Sequence, residues 1–388
     1  MIFKGKSKGF GYLSLIGIIF GVGIALFILW TVFDKKQEFS TLNPFSKNST
    51  ADQNDIKKTV PNPLTGVLYT EEESNVWKNI RPIGAMVNNY TEARPQSGLD
   101  KADVVYEMVA EGGITRYVAF FLTNSPTKVG PIRSIREYFL VLVKEMGDAM
   151  IMHIGWSPQA LQAIEAWPVR SLNRLGLNCE NVLDDPTSGY DCWRNKTRVD
   201  ADVPWEHTAY ANIVELRKRG ETAGWQGTTD AFRSWLFKDS TTKYITSPTA
   251  SQISIDFWYK GDYSANFKYD PPTNSYLRFV GYDANDQPIP HRDNETGEQL
   301  QVKNVIVQFA TETSIVGDEK NRLEYELEGS GEAYIFEDGR VISATWSKSS
   351  REGRTIYYDK DGNEVEYNRG KFWICIVPDR NKEQVVFY

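Results

Sequence analysis

The stretch Phe10 to Phe33 runs for 24 residues without a charged side chain. At about 1.5 Å per residue, a helix of that length reaches roughly 36 Å, enough to cross a hydrocarbon layer of about 30 Å. A cleaved export signal has a shorter apolar region, of about 7 to 15 residues, and a small-residue cleavage site. Neither is visible, and the first cysteine is Cys179, so no cysteine is placed for lipid attachment. Lys4, Lys6 and Lys8 precede the stretch with no acid among them, whereas Asp34 and Glu38 dilute Lys35 and Lys36 behind it. That asymmetry favours an N-terminus on the cytoplasmic side. The alternative, a buried core helix, rarely runs so far without a polar face. The expectation is a single-pass cell-membrane protein: a basic tip and transmembrane anchor over 1–37, with the bulk of the chain extracytoplasmic.

Residues 38–62 are rich in Ser, Thr, Asn, Asp and Lys and lack apolar periodicity, which reads as a flexible stalk. Beyond it, the 388-residue chain is 41% hydrophobic and 13% aromatic, ample for packed cores. Setting aside the first 38 residues leaves 39 basic against 49 acidic side chains, which excludes non-specific nucleic-acid binding. From 63 to 240, strand patterns alternate with helix patterns. Strands are expected at Ile83–Val87, Val104–Ala110, Thr115–Thr123 and Ala149–Ile154, with helices at Ile135–Met146 and Pro158–Ile164. From 241 to 388, short strands are separated by Asp-Gly turns at Asp338-Gly339 and Asp361-Gly362. The fold class is therefore an α/β or α+β N-terminal domain followed by a mainly β C-terminal domain. Cys179 and Cys192 lie in one loop-rich stretch, where an exported chain is able to bridge them, and the sequence leaves that pairing open. The three His residues are too scattered for zinc-ligand spacing.

Several polar groups stand out. Glu111-Gly112-Gly113-Ile114 has the glycine pair of a two-residue hairpin, which would set Glu111 opposite Ile114 and Val109 opposite Arg116. Alternation then puts Glu107, Glu111 and Arg116 on one face, either as a surface ion pair or as part of a site. In Arg133-Ser134-Ile135-Arg136-Glu137, Ser134 and Glu137 form a capping-box pattern, so Arg133 and Arg136 are expected to flank a helix start. Two cations there need an anionic ligand or nearby carboxylates; Glu137, Glu107 and Glu111 are the internal candidates. His153 is expected at a strand end, before Ser157 as N-cap and Pro158 as first helical residue. Arg194, Arg198 and His207, with Asp191 and Trp205, form a second loop group able to close over the same cleft. No nucleophile elbow, phosphate-binding glycine loop or paired-cysteine metal site is found.

At Ala93-Arg94-Pro95-Gln96-Ser97-Gly98, Ala102-Asp103-Val104-Val105-Tyr106-Glu107, Glu111-Gly112-Gly113-Ile114-Thr115-Arg116, Gly130-Pro131-Ile132-Arg133-Ser134 and Ser157-Pro158-Gln159-Ala160, the chain resembles the YerB family of bacterial envelope lipoproteins. Thr345-Trp346-Ser347 and Gly370-Lys371-Phe372-Trp373 match in the second half. The resemblance spans roughly 63–380 and implies an envelope location and paired N- and C-terminal domains of unknown function. Two departures are the absent lipid-anchoring cysteine and Pro204-Trp205-Glu206-His207-Thr208, where the family has Ala-Pro-His-Asn.

Three functions follow from these residues. The leading one is a binding or accessory protein whose Arg116, Arg133, Arg136, His153, Arg194, Arg198 and His207 hold an anionic envelope glycan or lipid-linked sugar. The second is a phosphoryl or glycosyl-phosphate transferase, with Glu107 or Glu111 binding a divalent cation and His153 as acid or base. The third is a scaffold presenting its β-rich half to an unidentified envelope protein. No cofactor is indicated beyond that cation.

Overall fold

Phe372-Trp373-Ile374-Cys375-Ile376-Val377 contains no charged or hydroxyl side chain, a run that suits a strand covered on both faces. In the computed structural model, which describes residues 57–227 and 232–388, this run is the strand that joins the two halves of the chain. The expected membrane helix over Phe10–Phe33 and most of the stalk lie outside the described residues. Among the described residues, no helix is long and apolar enough to cross a membrane.

In chain order the principal strands of the first half are β1 (Ile83–Asn88), β2 (Val104–Glu111), β3 (Ile114–Phe121), β4 (Met150–Met152), β5 (Arg170–Ser171), β6 (Cys192–Asn195) and β7 (Ala209–Ala211). The second half adds β8 (Gln252–Ile255), β9 (Ala265–Asp270), β10 (Ser275–Tyr282), β11 (Pro288–Pro290), β12 (Asn304–Ala310), β13 (Gly329–Glu337), β14 (Arg340–Lys348), β15 (Ile356–Asp359), β16 (Phe372–Pro378) and β17 (Val385–Phe387). Helices α1 (Glu137–Glu145), α2 (Pro158–Ala166) and α3 (Ile213–Thr222) belong to the first half.

A ten-stranded sheet runs β15-β14-β13-β12-β16-β2-β3-β1-β4-β5. β16 pairs in parallel with β12 on one side and β2 on the other. The segments 63–240 and 241–388 thus share one sheet, and residues 57–388 form one compact unit. A second sheet, β11-β10-β9-β8-β17, covers one face of the first. Its inward Phe267 meets Trp373 at 6.4 Å between ring centroids, and its Arg278 reaches Glu107. On the opposite face lies α1, where the Tyr106 hydroxyl donates to Glu145 (2.5 Å) and Tyr138 donates to the Val109 carbonyl (3.1 Å). Tyr106 and Glu107 are neighbours on β2 and point to these two opposite layers, as strand alternation requires.

The helix expected from Ser134 begins later, at Glu137, with Arg136 as N-cap. Backbone hydrogen bonds explain the delay. Arg133 N–H donates to Met86 O (2.8 Å), Ile135 N–H to Gly155 O (3.1 Å) and Asn88 N–H to Pro131 O (2.9 Å), so residues 131–135 are held extended beside the end of β1. The start of α2 is as expected: Ser157 Oγ accepts from Ala160 N–H (3.1 Å), with Pro158 in first position. Cys179 and Cys192 form a disulfide.

Candidate functional site

The β2–β3 turn closes with Glu111 opposite Ile114, and Gly112 and Gly113 both take positive φ (58° and 78°) as such a turn demands. The expected pairing of Val109 with Arg116 is not found. Ala110 is an extra residue in β2, so Val109 faces Thr115 and Met108 faces Arg116. A bulge of this kind moves the residues beyond it to the other face. Glu111 therefore lies with Arg116, while Glu107 lies with Thr115 on the side of the second sheet.

Glu111 serves two cations at once. Its Oε1 accepts from Arg116 Nη2 (2.9 Å), and its Oε2 accepts from Arg136 Nε (3.0 Å) and Nη2 (2.5 Å). Burial acts to raise the Glu111 pKa, but Arg116 and Arg136 outweigh it and hold the carboxyl below its usual range. Arg116 also donates to the Ser134 carbonyl (2.5 Å), and burial, opposed by Glu111, lowers its pKa to about 10. Glu137, an expected counter-charge, instead faces Glu324, and burial raises its pKa.

Arg133 differs from both neighbours. Its backbone N–H and C=O are fixed by Met86 and Ile154, yet among the described residues its guanidinium has no hydrogen bond or ion pair. Burial lowers its pKa, with Glu206 and Glu111 opposing and Arg136 and Arg194 adding to the effect.

From the second loop group, His207 comes to this place. Its Nδ1 lies 2.6 Å from Asn88 Nδ2 at the end of β1, and its ring stacks on Tyr90 at 5.0 Å. Because Asn88 Oδ1 accepts from Tyr90 N–H (3.0 Å), the Asn88 amide presents its nitrogen to His207. His207 Nδ1 is then the acceptor and the ring is neutral with its proton on Nε2, in keeping with a pKa lowered by burial and by Arg133. Arg194 donates to the Trp205 carbonyl (2.9 Å) and to Glu180 (2.7 Å), and lies over the Trp205 ring at 4.7 Å. Arg198 turns away: its guanidinium holds the carbonyls of Glu92, Ala93 and Pro95 at 2.9–3.0 Å. Asp191 is taken by Arg219 (2.6 Å).

His153 is fully buried, with Nδ1 on the Gly155 carbonyl (2.9 Å) and Nε2 on Ser171 Oγ (2.8 Å). Burial lowers its pKa to about 4, so it is uncharged at neutral pH. Glu107 lies in the other layer, accepting from Thr115 Oγ1 (2.9 Å), Arg278 Nη2 (2.8 Å) and Trp373 Nε1 (2.9 Å). Arg133, Arg136, Arg116 and His207 thus share one face, with Arg194 beside it, while Glu107 and Arg198 do not belong to it. Among the described residues no group of three His, Cys, Asp or Glu side chains is placed to hold a metal ion.

Sequence reasoning gave no role to Asn88, which holds His207, to Glu206, whose charge acts on Arg133, or to Trp156, 40% exposed and paired with Ile135. It also missed Arg278, whose signal was an arginine between Tyr276 and Val280 on the inward alternation of a strand.

Two family models cover most of the chain. "Protein of unknown function (DUF3048) N-terminal domain" matches residues 64–226, and the corresponding C-terminal domain matches 253–374. "Putative lipoprotein YerB" of Bacillus subtilis (strain 168) is 33% identical over 332 residues, 84% of this chain and 88% of that protein. The chain belongs to the YerB family. The crystal structure of the Bacillus subtilis YerB protein superposes with a TM-score of 0.68 at 29% identity, covering 85% of this chain and 100% of that one.

Several motifs shared with the YerB family have structural work in this geometry. Asp103 Oδ2 accepts from the N–H groups of Leu122 (2.7 Å) and Thr123 (2.8 Å) at the end of β3. Gly98 has φ +84°, and a Cβ there would meet the Lys128 carbonyl at 2.6 Å, so only glycine fits. Gln96 donates to the Asn88 carbonyl (3.0 Å) and Asn89 Oδ1 (3.2 Å), bracing the turn beneath His207. Gly130-Pro131-Ile132-Arg133-Ser134 is the extended segment that presents Arg133.

Proposed function

We propose that this YerB-family member is an extracytoplasmic envelope protein, held at the membrane by Phe10–Phe33, whose Arg133 face binds an anionic, phosphate-bearing ligand such as a phosphorylated glycan or lipid-linked sugar. The observation that carries the reading is the contrast among three adjacent arginines. Glu111 pairs with both Arg116 and Arg136, whereas Arg133 has no protein partner among the described residues. A guanidinium on a rigid backbone forms strong charge-assisted hydrogen bonds with phosphate oxygens. Two exposed aromatic rings of a kind suited to a sugar stand on neighbouring segments, Trp156 paired with Ile135 and Trp205 under Arg194 at 4.7 Å. The envelope location is supported by the lipoprotein name of the Bacillus subtilis relative and by the Cys179–Cys192 bridge, a feature of oxidising compartments.

The transferase alternative asked Glu107, Glu111 and His153 to act on a substrate or cation. Each is engaged within the protein: both Glu111 oxygens by arginines, both His153 nitrogens by Gly155 and Ser171, and Glu107 by three donors. Binding is therefore the better-supported reading. Thermal melting of the full chain in detergent, with and without millimolar pyrophosphate, tests it. A ligand that binds only the folded state raises the midpoint by mass action. The midpoint is expected to rise for the wild type and to stay put for Arg133→Ala. Equal midpoints for the wild type with and without pyrophosphate would remove the anion site from consideration.

A further inference from the structure

The face of the second sheet turned away from Glu107 and Trp373 carries a cavity of about 480 Å³. That volume lies within the range of about 300–1,000 Å³ found for small-molecule sites. Strand alternation explains its lining. Ile253, Phe267 and Arg278 point to the interior, so Gln252 and Ser254 of β8 and Asn266 and Lys268 of β9 point outward into the cavity.

Its floor is a polar ladder across three strands. The Ser254 and Tyr282 hydroxyls lie 3.0 Å apart, and Tyr282 donates to Asn266 Oδ1 (3.1 Å). Asn266 is only 6% exposed, and among the described residues its Nδ2 has no hydrogen-bond partner. A buried N–H donor of this kind is normally satisfied. Phe279, Tyr282 and Tyr388 add aromatic rings to the walls. The single acid in the lining, Asp286, is paired with Lys260 (2.5 Å), and Lys260 in turn lies over the Tyr282 ring at 4.4 Å.

Amides and hydroxyls that donate and accept, the Lys268 ammonium as a further donor, aromatic faces and a neutralised acid form the chemistry that recognises an uncharged, hydroxyl-rich ring. We infer that this cavity is a second ligand site, for a short neutral oligosaccharide, separate from Arg133 and independent of the anion reading. Ring oxygens or hydroxyls hydrogen-bond to the Ser254–Tyr282–Asn266 ladder, and a ring C–H face lies on Tyr388.

The test is isothermal titration of the full chain, in a detergent without a sugar headgroup, with chitotriose, cellotriose and maltotriose. Saturable binding of at least one is expected, weakened about tenfold in Asn266→Ala and in Tyr388→Ala, the scale of one lost well-made contact. Tyr388 is 65% exposed, so its variant keeps the fold and decides the matter if Asn266→Ala melts early. The same trisaccharides should bind Arg133→Ala undiminished. No saturable heat from any of the three, or wild-type binding in the Tyr388→Ala protein, would overturn the inference. So would saturable binding of an extended Val-Thr hexapeptide in place of the sugars, which would assign the cavity to a peptide.

Discussion

Glu107 and Glu111 stand four residues apart on one strand and meet opposite surroundings. Glu107 is sealed between two sheets, where it joins Arg278 and Trp373 of the second half to Thr115 of the first. Glu111 stands at the edge of the arginine face, where one carboxylate is shared by two of three cations. The extra residue at Ala110 sends them to different layers. A buried charge left without its partner costs several kcal/mol, whereas a partly solvated one costs little. The interior charges therefore bind the two family segments together, while the outer face tolerates one cation without a protein partner.

Breaking the interior pair should have the largest effect. Glu107→Ala strands Arg278 in a dry layer and is expected to lower unfolding stability by about 3–5 kcal/mol in a denaturant titration. A loss below about 1 kcal/mol would mean that the pair does not join the segments.

Acid titration sharpens the other side of the comparison. His153 is buried next to Ile154, whose N–H holds the Arg133 carbonyl, and its folded pKa of about 4 lies below the ordinary 6.5. The unfolded chain thus takes up a proton first as pH falls. Stability is fully present above pH 6.5 and is lost between 6.5 and about 4, by roughly 3 kcal/mol at about 1.4 kcal/mol per unit. Denaturant midpoints at pH 7 and pH 4.5 should fall further in the wild type than in His153→Gln, and equal falls would place the titration elsewhere.

Glu111→Gln removes the counter-charge of two buried arginines but keeps an amide oxygen to accept from them, so a cost of about 2 kcal/mol is expected at pH 7. The Glu111 pKa is lowered, so its contribution is present above the ordinary carboxylate value of 4.5 and vanishes as pH falls through the folded value. Wild type and Glu111→Gln should converge in strong acid, and a gap that persisted there would show that charge is not the cause. Arg133→Ala should change stability least, within about 0.5 kcal/mol. A larger loss would reveal a structural partner for Arg133 and weaken the anion reading.

Much of this was legible beforehand. The strands around Ile83, Val104, Ile114 and Phe372 were visible as apolar runs, and the β2–β3 turn as a glycine pair, because local sterics and hydrophobic period act on neighbouring residues. The Ser157-Pro158 helix start was visible for the same reason. Ser134 misled because a capping box competes with any backbone partner nearby, and Met86 and Gly155 supply such partners from distant parts of the chain.

The sequence alone thus determined the kinds of element and the polar groups that chemistry would require, among them an arginine cluster with acids close in sequence. Tertiary structure decided which acid meets which arginine. One unpaired residue at Ala110 reverses a face, and a parallel strand arriving from residue 372 seals Glu107 inside while the arginine face stays open. Facing and burial depend on register and on the layer laid over each strand, and both are set by contacts between residues hundreds of positions apart.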